Sequence, residues 1–230
     1  MNWREQAEAL AREQYPREAC GLVVVVAGRE RWWPCRNVAE SDQHFVVDPA
    51  DYAAAEDAGT IVAVVHSHCG IGPEPSEADR VACEASGLEW HIVSVPNCRW
   101  ESLRPSGYQS PLVGRPFVHG ILDCYSLVRD WYHRERGILL PDYDRGVEWW
   151  TRGGNLYLDH FREAGFVEVD DLQPGDSVLM QICSPVPNHA AVYLGDNLIL
   201  HHLQDRLSSV DVFGGYYLKH TVRKVRYAGG

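Results

Sequence analysis

Two sets of residues in this chain carry side chains that can do chemistry together. The first is the histidine pair His66 and His68, one residue apart after the apolar run 61–65, with Ser76 and Asp79 following. Side chains at i and i+2 of a strand share a face, so both imidazoles can reach one ion. Asp79 falls in the first turn of the helix expected over 75–87, where it completes a His-His-Asp set at a strand-to-helix corner. Two neutral imidazoles and a carboxylate suit Zn2+, and three protein ligands leave a fourth position for water. Water activated in that position needs a general base. Glu18, just ahead of "CGLVVVV", is the candidate, and Ser76 is placed to donate a hydrogen bond to a developing oxyanion. Cys69 and His91 are the alternative ligands.

The second set is Cys124, at the start of "DCYSLVRDWY", with His189 leading the strand "HAAVYLGD" and His201 in "NLILHHL". A helix N-terminus favours a thiolate, so the expectation is a lowered Cys124 pKa. His189 is the candidate base. A hairpin about Gly195-Asp196 brings His201 beside it, in the role of the third residue that orients the imidazole. His202 competes for that role, but adjacent strand residues point to opposite faces, so one of the two serves, and His201 is preferred.

These residues need elements to hold them. The pattern predicts a charged helix over 3–14, then strands at "GLVVVVAG", "ERWWPCRN" and "HFVVD" (44–48). A helix opened by Asp48-Pro49 and ended by Gly59 precedes the strand 61–65, and the helix 75–87 ends at Gly87. "WHIVSV" and "RWESLRP" form a hairpin. Three prolines and two glycines in 104–116 mark a linker or domain entrance. Beyond it come helices over 123–137 and 156–165, then strands at "QPGDSVLMQI", "NHAAVYLGD", "NLILHHL" and "KHTVRKVRY". Strands and helices alternate in the first half, whereas helices precede strands in the second. The expected architecture is an α/β domain over 1–105 followed by an α+β domain over 106–230.

Composition limits the remaining choices. Thirty-two acids against 21 Lys plus Arg leave a net charge of −11 over 230 residues, which argues against nucleic-acid binding and against a polybasic membrane anchor. No apolar run approaches the roughly 20 residues of a spanning helix, so membrane insertion is not expected. The first 21 residues alternate charges and do not read as a secretory signal, which makes the cytoplasm the expected starting place. Seven scattered cysteines without a C-x-x-C are expected to be reduced thiols. The tryptophan pairs 32–33 and 149–150 read as core or interface, Asp170-Asp171 as a solvated loop, and "VRKVR" (222–226) as a charged sheet edge.

The order His66-x-His68, seven residues, Ser76, two residues, Asp79, with "PREACGLVVV" upstream, resembles the JAMM (MPN-plus) metalloprotease motif over about residues 1–105. The resemblance implies a cytidine-deaminase-like mixed sheet, Zn2+ on His66, His68 and Asp79, Glu18 as acid and base, and hydrolysis of peptide or isopeptide bonds. Asp123-Cys124, "QPGD" at 173–176, His189, and His201 twelve residues later are similar to the NlpC-type branch of papain-like cysteine peptidases. That similarity covers about 110–230 and implies a papain-like α+β domain acting on peptidoglycan stem peptides. Two features depart from it. Tyr125-Ser126 follows the cysteine where Ser-Gly is common, and Phe117 stands near where many relatives place a tyrosine that contacts the catalytic centre.

The segment "GRPFVHGILDCYSLVRDWY" and the succession of the two domains resemble the tail assembly proteins of lambdoid phages and prophages. This implies other phage tail-tip proteins as partners and a place in the host cytoplasm during assembly. The virion tail tip and the host periplasm are the further places implied for action on the cell wall. Two functions are compatible with this: a pair of hydrolases, or a structural assembly factor that binds partner tail proteins with one or both sites vestigial.

Overall fold

The computed structural model describes residues 2–40, 42 and 44–229. Helix α1 (Trp3–Gln14) begins with a reciprocal cap: Asn2 Oδ1 accepts the Glu5 N–H, and the Glu5 carboxylate accepts the Asn2 N–H, both at 2.9 Å. Strands β1 (Cys20–Val26) and β2 (Arg29–Cys35) follow, then α2 (Pro49–Ala58), β3 (Thr60–Cys69), α3 (Glu77–Ser86), β4 (Glu89–Val95) and β5 (Arg99–Leu103). The sheet order is β2-β1-β3-β4-β5, with β3 and β4 parallel and the other pairs antiparallel. Helix α3 is the crossover between the parallel strands.

Both faces of this sheet are covered. Ala7 and Ala11 of α1 pack with Val23, Ala63, Val65 and Val93, while Ala55 of α2 and Cys83 of α3 pack with Leu22, Val24, Val64 and Trp90. A strand buried on both sides has no polar face, which is why "LVVVV" is unbroken. Gly21 is required by close approach. A Cβ there would stand 2.6 Å from the Trp33 carbonyl oxygen and against the Trp32 ring.

"HFVVD" does not form the expected strand and contributes one bridge, Asn37 to Val47. The Asn37 side chain takes over the backbone partners a ladder would use. Its Oδ1 accepts the Ala39 and Val46 N–H groups, and its Nδ2 donates to the carbonyls of Glu18 and His44. The stretch 104–116, read as a linker, contains the division between the two units and is tied down on its first side. The Glu84 carboxylate accepts the N–H groups of Ser106, Gly107 and Tyr108 at 2.6, 3.1 and 3.0 Å. The chain divides between Gln109 and Ser110 into two compact units, and in the second Arg115 is buried in an ion pair with Asp130.

The second unit holds α4 (Cys124–Arg136), a 3-10 turn at Trp149–Thr151, α5 (Leu156–His160), β6 (Phe166–Glu168), β7 (Ser177–Met180) and β8 (His189–Gly195). After these come β9 (Leu198–His201), β10 (Ser209–Val212), α6 (Gly215–His220) and β11 (Thr221–Tyr227). The sheet is antiparallel in the order β10-β9-β8-β7-β11-β6. Leu127, Val128 and Tyr132 of α4 pack on Leu179, Ala190, Val192 and Leu200, and Phe213 covers Val178, Met180, Ala191 and Ile199.

Two expectations change in this unit. The helix over 156–165 is α-helical only to His160, since the chain turns back at Gly165 (φ +90°) and Phe166 N–H donates to the Phe161 carbonyl. The "VRKVR" strand is not an edge but lies between β7 and β6. Its charges are matched there: Arg226 makes two 2.8 Å hydrogen bonds to Asp176, and Arg223 lies 3.2 Å from Glu168. Of the tryptophan pairs, Trp32 and Trp33 pack against the core of the first unit, while Trp149 and Trp150 line a cleft in the second.

The Gly21 contact yields a test. Gly21→Ala should cost about 1–3 kcal/mol, the usual range for forcing atoms into a packed interior. A urea midpoint equal to that of the parent would refute this account of the β1–β2 approach.

Candidate active sites

His66 and His68 lie at the carboxyl end of β3, beside parallel β4, where sites of α/β sheets open. Between them Ser67 faces the other way and fastens β1. The Ala19 N–H donates to Ser67 Oγ at 2.8 Å, and the Ser67 N–H donates to the Ala19 carbonyl at 2.9 Å. That clasp sets Glu18, the neighbour of Ala19, close enough to feel the charges of His68 and Asp79. Asp79 arrives from α3. Its position is fixed because Ser76 caps that helix: Ser76 N–H donates to Asp79 Oδ2 at 2.7 Å and Asp79 N–H to Ser76 Oγ at 3.1 Å.

The donor atoms of His66, His68 and Asp79 converge. His66 Nε2 is 3.2 Å from His68 Nε2 and 3.2 Å from Asp79 Oδ1, and His68 Nε2 is 3.3 Å from Asp79 Oδ2. Bonds of about 2.0–2.1 Å to a tetrahedral Zn2+ require ligand atoms about 3.3 Å apart. The two imidazole nitrogens have that spacing, and one ligand atom from each of the three residues lies within 4.8 Å of the others. His68 Nδ1–H donates to the Gly72 carbonyl at 2.9 Å, which directs Nε2 toward Asp79 and the centre of the cluster. This is the only such cluster among the described residues. The alternatives Cys69 and His91 lie outside it: Cys69 packs near Ala11 and Val95, and His91 lies against Trp3 at 5.1 Å.

Electrostatics divide the roles. Burial keeps His66 neutral by lowering its pKa. Burial opposes ionisation of Asp79, but the hydrogen bonds from His66 and His68 outweigh it and hold the carboxyl well below the usual range. Burial pushes Glu18 the other way, up to about 7, against the pull of His68. One carboxylate is thus ionised for a cation and the other is poised near neutral pH to exchange a proton. The Ser76 hydroxyl accepts in its cap and keeps its proton for donation. Phe45, stacked on His66 at 4.5 Å, and Trp90, edge-on at 5.5 Å, form a wall that no sequence pattern announced.

In the second unit Cys124 is the first residue of α4, capped by Asp123, whose Oδ1 accepts the Ser126 N–H at 2.8 Å. Asp123 is itself tied by Arg145 Nε (2.8 Å) and the Gly120 N–H (3.0 Å), and Arg145 also reaches the Gly120 carbonyl and Ser126 Oγ. The thiol lies 3.2 Å from the Tyr157 hydroxyl and 4.0 Å from the Asn188 carbonyl, and it accepts the Ala190 N–H. The sulfur therefore meets the backbone on either side of His189. Cys124, Tyr157, His189, Phe117 and the two tryptophans line one cleft of about 270 Å³.

His201 pairs with Ala191 in the β8–β9 register, so its ring meets His189 across the diagonal, Nδ1 to Nε2 at 3.1 Å. His202 instead directs Nε2 to the Arg206 carbonyl. Behind His201 stands Asp211, 2.9 Å from Nε2, an acid that sequence reasoning missed because β10 is too short to show a period. Tyr157 and Arg145 were also missed, as single residues outside any motif. The expected lowering of the Cys124 pKa does not occur. Burial and the Asp123 charge outweigh the hydrogen bonds from Tyr157 and the Ala190 N–H and push the thiol up to about 11, while burial and the neighbouring histidines depress His189 to about 3. The resting pair is a thiol and a neutral imidazole.

Glu18 makes stability depend on pH in the metal-free protein. The unfolded carboxyl ionises near 4.5 and the folded one near 7, so the native state holds the extra proton between these values and stability falls as pH rises through that window. Glu18→Gln should remove this slope and stabilise the metal-free first unit by about 1–3 kcal/mol above neutral pH. Parallel urea titrations of both proteins from acid to neutral pH measure it, and an unchanged slope would refute the assignment.

Residues 2–104 match the family of prokaryotic homologs of the JAB domain, and residues 114–226 match the NlpC/P60 family. Tail tip assembly protein K of Escherichia phage N15 is 45% identical over 223 residues, covering 95% of this chain and 91% of that protein. The protein of the same name from Escherichia phage lambda is 45% identical over 164 residues, covering 70% of this chain and 79% of that one. Among solved structures, a JAB1/MPN domain protein from Archaeoglobus fulgidus is 20% identical with a TM-score of 0.31, over 47% of this chain and 90% of that one. Among the described residues no helix is long and apolar enough to cross a membrane. With 45% identity sustained over 95% of its length, the chain belongs to the phage tail tip assembly protein K family, a JAB-type domain followed by an NlpC/P60-type domain.

Proposed function

We propose that this tail tip assembly protein carries two hydrolytic centres: a zinc-dependent one for peptide or isopeptide bonds and a cysteine one for peptidoglycan stem peptides. The observation that carries the reading is that each unit closes its own constellation. His66, His68 and Asp79 converge within 3.3 Å of one another beside Glu18, and Cys124 shares a cleft with a hydrogen-bonded His189–His201 pair. Other tail-tip proteins are its partners in this reading, which the names of the two phage relatives support. It works in the host cytoplasm during assembly, and at the virion tail tip and in the host periplasm where it meets the cell wall.

In the first centre His66, His68 and Asp79 would hold Zn2+. When bound, the ion supplies the Lewis acidity that polarises a carbonyl and acidifies water. Glu18 accepts a proton from the attacking water and returns it to the departing amine. The Ser76 hydroxyl donates toward the oxygen that gains charge. In the second centre the Cys124 proton passes to His189 as sulfur bonds to the peptide carbonyl carbon. That proton leaves with the amine, and water opens the thioester with His189 again as base. The Tyr157 phenol, kept neutral by burial and by the nearby Cys124 and Asp123, can donate a hydrogen bond beside the sulfur.

Zinc analysis and two digestions test the reading. Wild type should retain about one Zn2+ per chain after dialysis and His68→Ala should lose it, as expected for removal of one of three ligands. Glu18→Gln should keep the metal while slowing peptide or isopeptide cleavage at least about 100-fold. Absence of stoichiometric zinc in the wild type would sink the first centre. Digestion of purified stem peptides should disappear in Cys124→Ala and persist in His68→Ala, and survival in Cys124→Ala would sink the second. The relatives' names speak of assembly, which favours a second, structural reading. Phage complementation separates the two. Tails that assemble normally with both Cys124→Ala and Glu18→Ala would assign assembly to the surface alone.

A further inference from the structure

An imidazole serves as a base only if its unprotonated nitrogen is the one turned to the substrate side, so something must decide where the single proton of His189 sits. The contacts behind the ring do so. Asp211 Oδ2 lies 2.9 Å from His201 Nε2, and a carboxylate only accepts, so Nε2 carries the proton of His201. His201 Nδ1 is then a lone pair. Its 3.1 Å contact with His189 Nε2 makes that nitrogen the donor, which leaves His189 Nδ1 as the basic atom. His189 lines the cleft with Cys124, while His201 and Asp211 lie behind it.

The strand that carries Asp211 is patterned for this purpose. β10 is an edge strand of sequence "SVDV", and its exposed residues are the apolar ones, Val210 at 40% and Val212 at 66%, while the acid turns to a histidine that is 1% exposed. Packing alone favours the reverse arrangement. Tyr217 of α6 donates its hydroxyl to Asp211 Oδ2 at 3.2 Å and sets its ring edge-on to His201 at 4.7 Å. The Arg206 guanidinium, half-exposed between β9 and β10, lies 3.7 Å from the same oxygen. The hydrogen bond from His201, above all, holds the Asp211 carboxyl ionised.

We propose that Asp211 is a positioning residue for the cysteine site, fixing the tautomers of His201 and His189 and placing a negative charge behind the pair that accepts the Cys124 proton. The proposal rests on the reading of Cys124 and His189 as nucleophile and base. The proton moves from sulfur to His189 Nδ1 and no further. The imidazolium so formed is stabilised through His201 by a carboxylate that stays ionised, and Asp211 touches no substrate. The remaining acid near His189, Asp123, cannot substitute, because Arg145, Ser126 and the Gly120 N–H already occupy it. The other charged or titratable groups facing the pair are His202 and Arg206, and those facing the sulfur are Asp123, Arg145 and Tyr157.

Alkylation of Cys124 by iodoacetamide reads the proton transfer without any substrate. Its rate is followed by mass spectrometry of the Cys124 peptide from about pH 5 to 9 in four full-length proteins: wild type, His189→Ala, Asp211→Asn and Asp211→Glu. His189→Ala should slow alkylation at neutral pH by at least about tenfold. Asp211→Asn removes the charge, so less thiolate should be present and alkylation should be about tenfold slower across this range. Asp211→Glu should recover to within about threefold of wild type, because a carboxylate is again present. If His189→Ala slows the reaction and Asp211→Asn matches wild type, the proposal fails while the underlying reading stands. Equal losses in the Asn and Glu variants, with equally lowered thermal midpoints, would mark Asp211 as packing alone and also overturn it. An unaffected His189→Ala would instead remove the reading on which the proposal rests.

Discussion

A buried imidazole must have its proton placed by a neighbour, and this chain buries two pairs of them. Each pair has one carboxylate set against it, and the arrangement decides what the pair can do. Asp79 stands between His66 and His68, with one oxygen to each ring, so the three donor atoms converge on a common centre. Asp211 stands at the end of a line, touching His201 and through it His189, so the line acquires a direction. Convergence makes a cradle for a cation, while a directed line makes a base. The residue types are the same in both units.

The frames that hold these arrangements differ in kind. In the first unit a parallel pair, β3 and β4, with α3 as crossover, brings a strand end and a helix start together, and the site lies where they meet. The Ser67–Ala19 clasp then carries the neighbouring antiparallel strand into register with it. In the second unit the histidines come from a β-hairpin and the cysteine from a helix lying across it. There the diagonal between His189 and His201, rather than a direct pair, sets the ring contact. A one-residue slip in β9 would bring His202 to the face that His201 occupies, and the line to Asp211 would be lost.

The parts visible in the sequence were those tied to a change of element. His66, His68 and Asp79 mark a strand-to-helix passage, and Cys124 opens a helix behind a capping acid. These positions follow from periodicity and cap chemistry, which are local. The strands and helices that carry both constellations were legible for the same reason. Asp211, Tyr157 and Arg145 were not, since each reaches its site from a loop or from an element of four or five residues, where a single polar side chain has no pattern to distinguish it. The Cys124 pKa was misread because the helix terminus is a local property, whereas burial and the approach of Asp123 arise from tertiary packing. "HFVVD" was misread for a related reason, as the Asn37 side chain outcompetes a neighbouring strand for its backbone groups.

Asp79 does two jobs with one carboxylate. Its oxygens face both histidines, and Oδ2 also accepts the Ser76 N–H that starts α3. Asparagine would keep the reach and the cap but lose the charge. Glutamate would keep the charge but lengthen the arm by a methylene and spoil both distances. Alanine would leave the Ser76 N–H and the Nε2 atoms of both histidines without this acceptor. None of these three substitutions preserves everything the side chain does, so the start of the helix and the His-His-Asp cluster are tied to one residue.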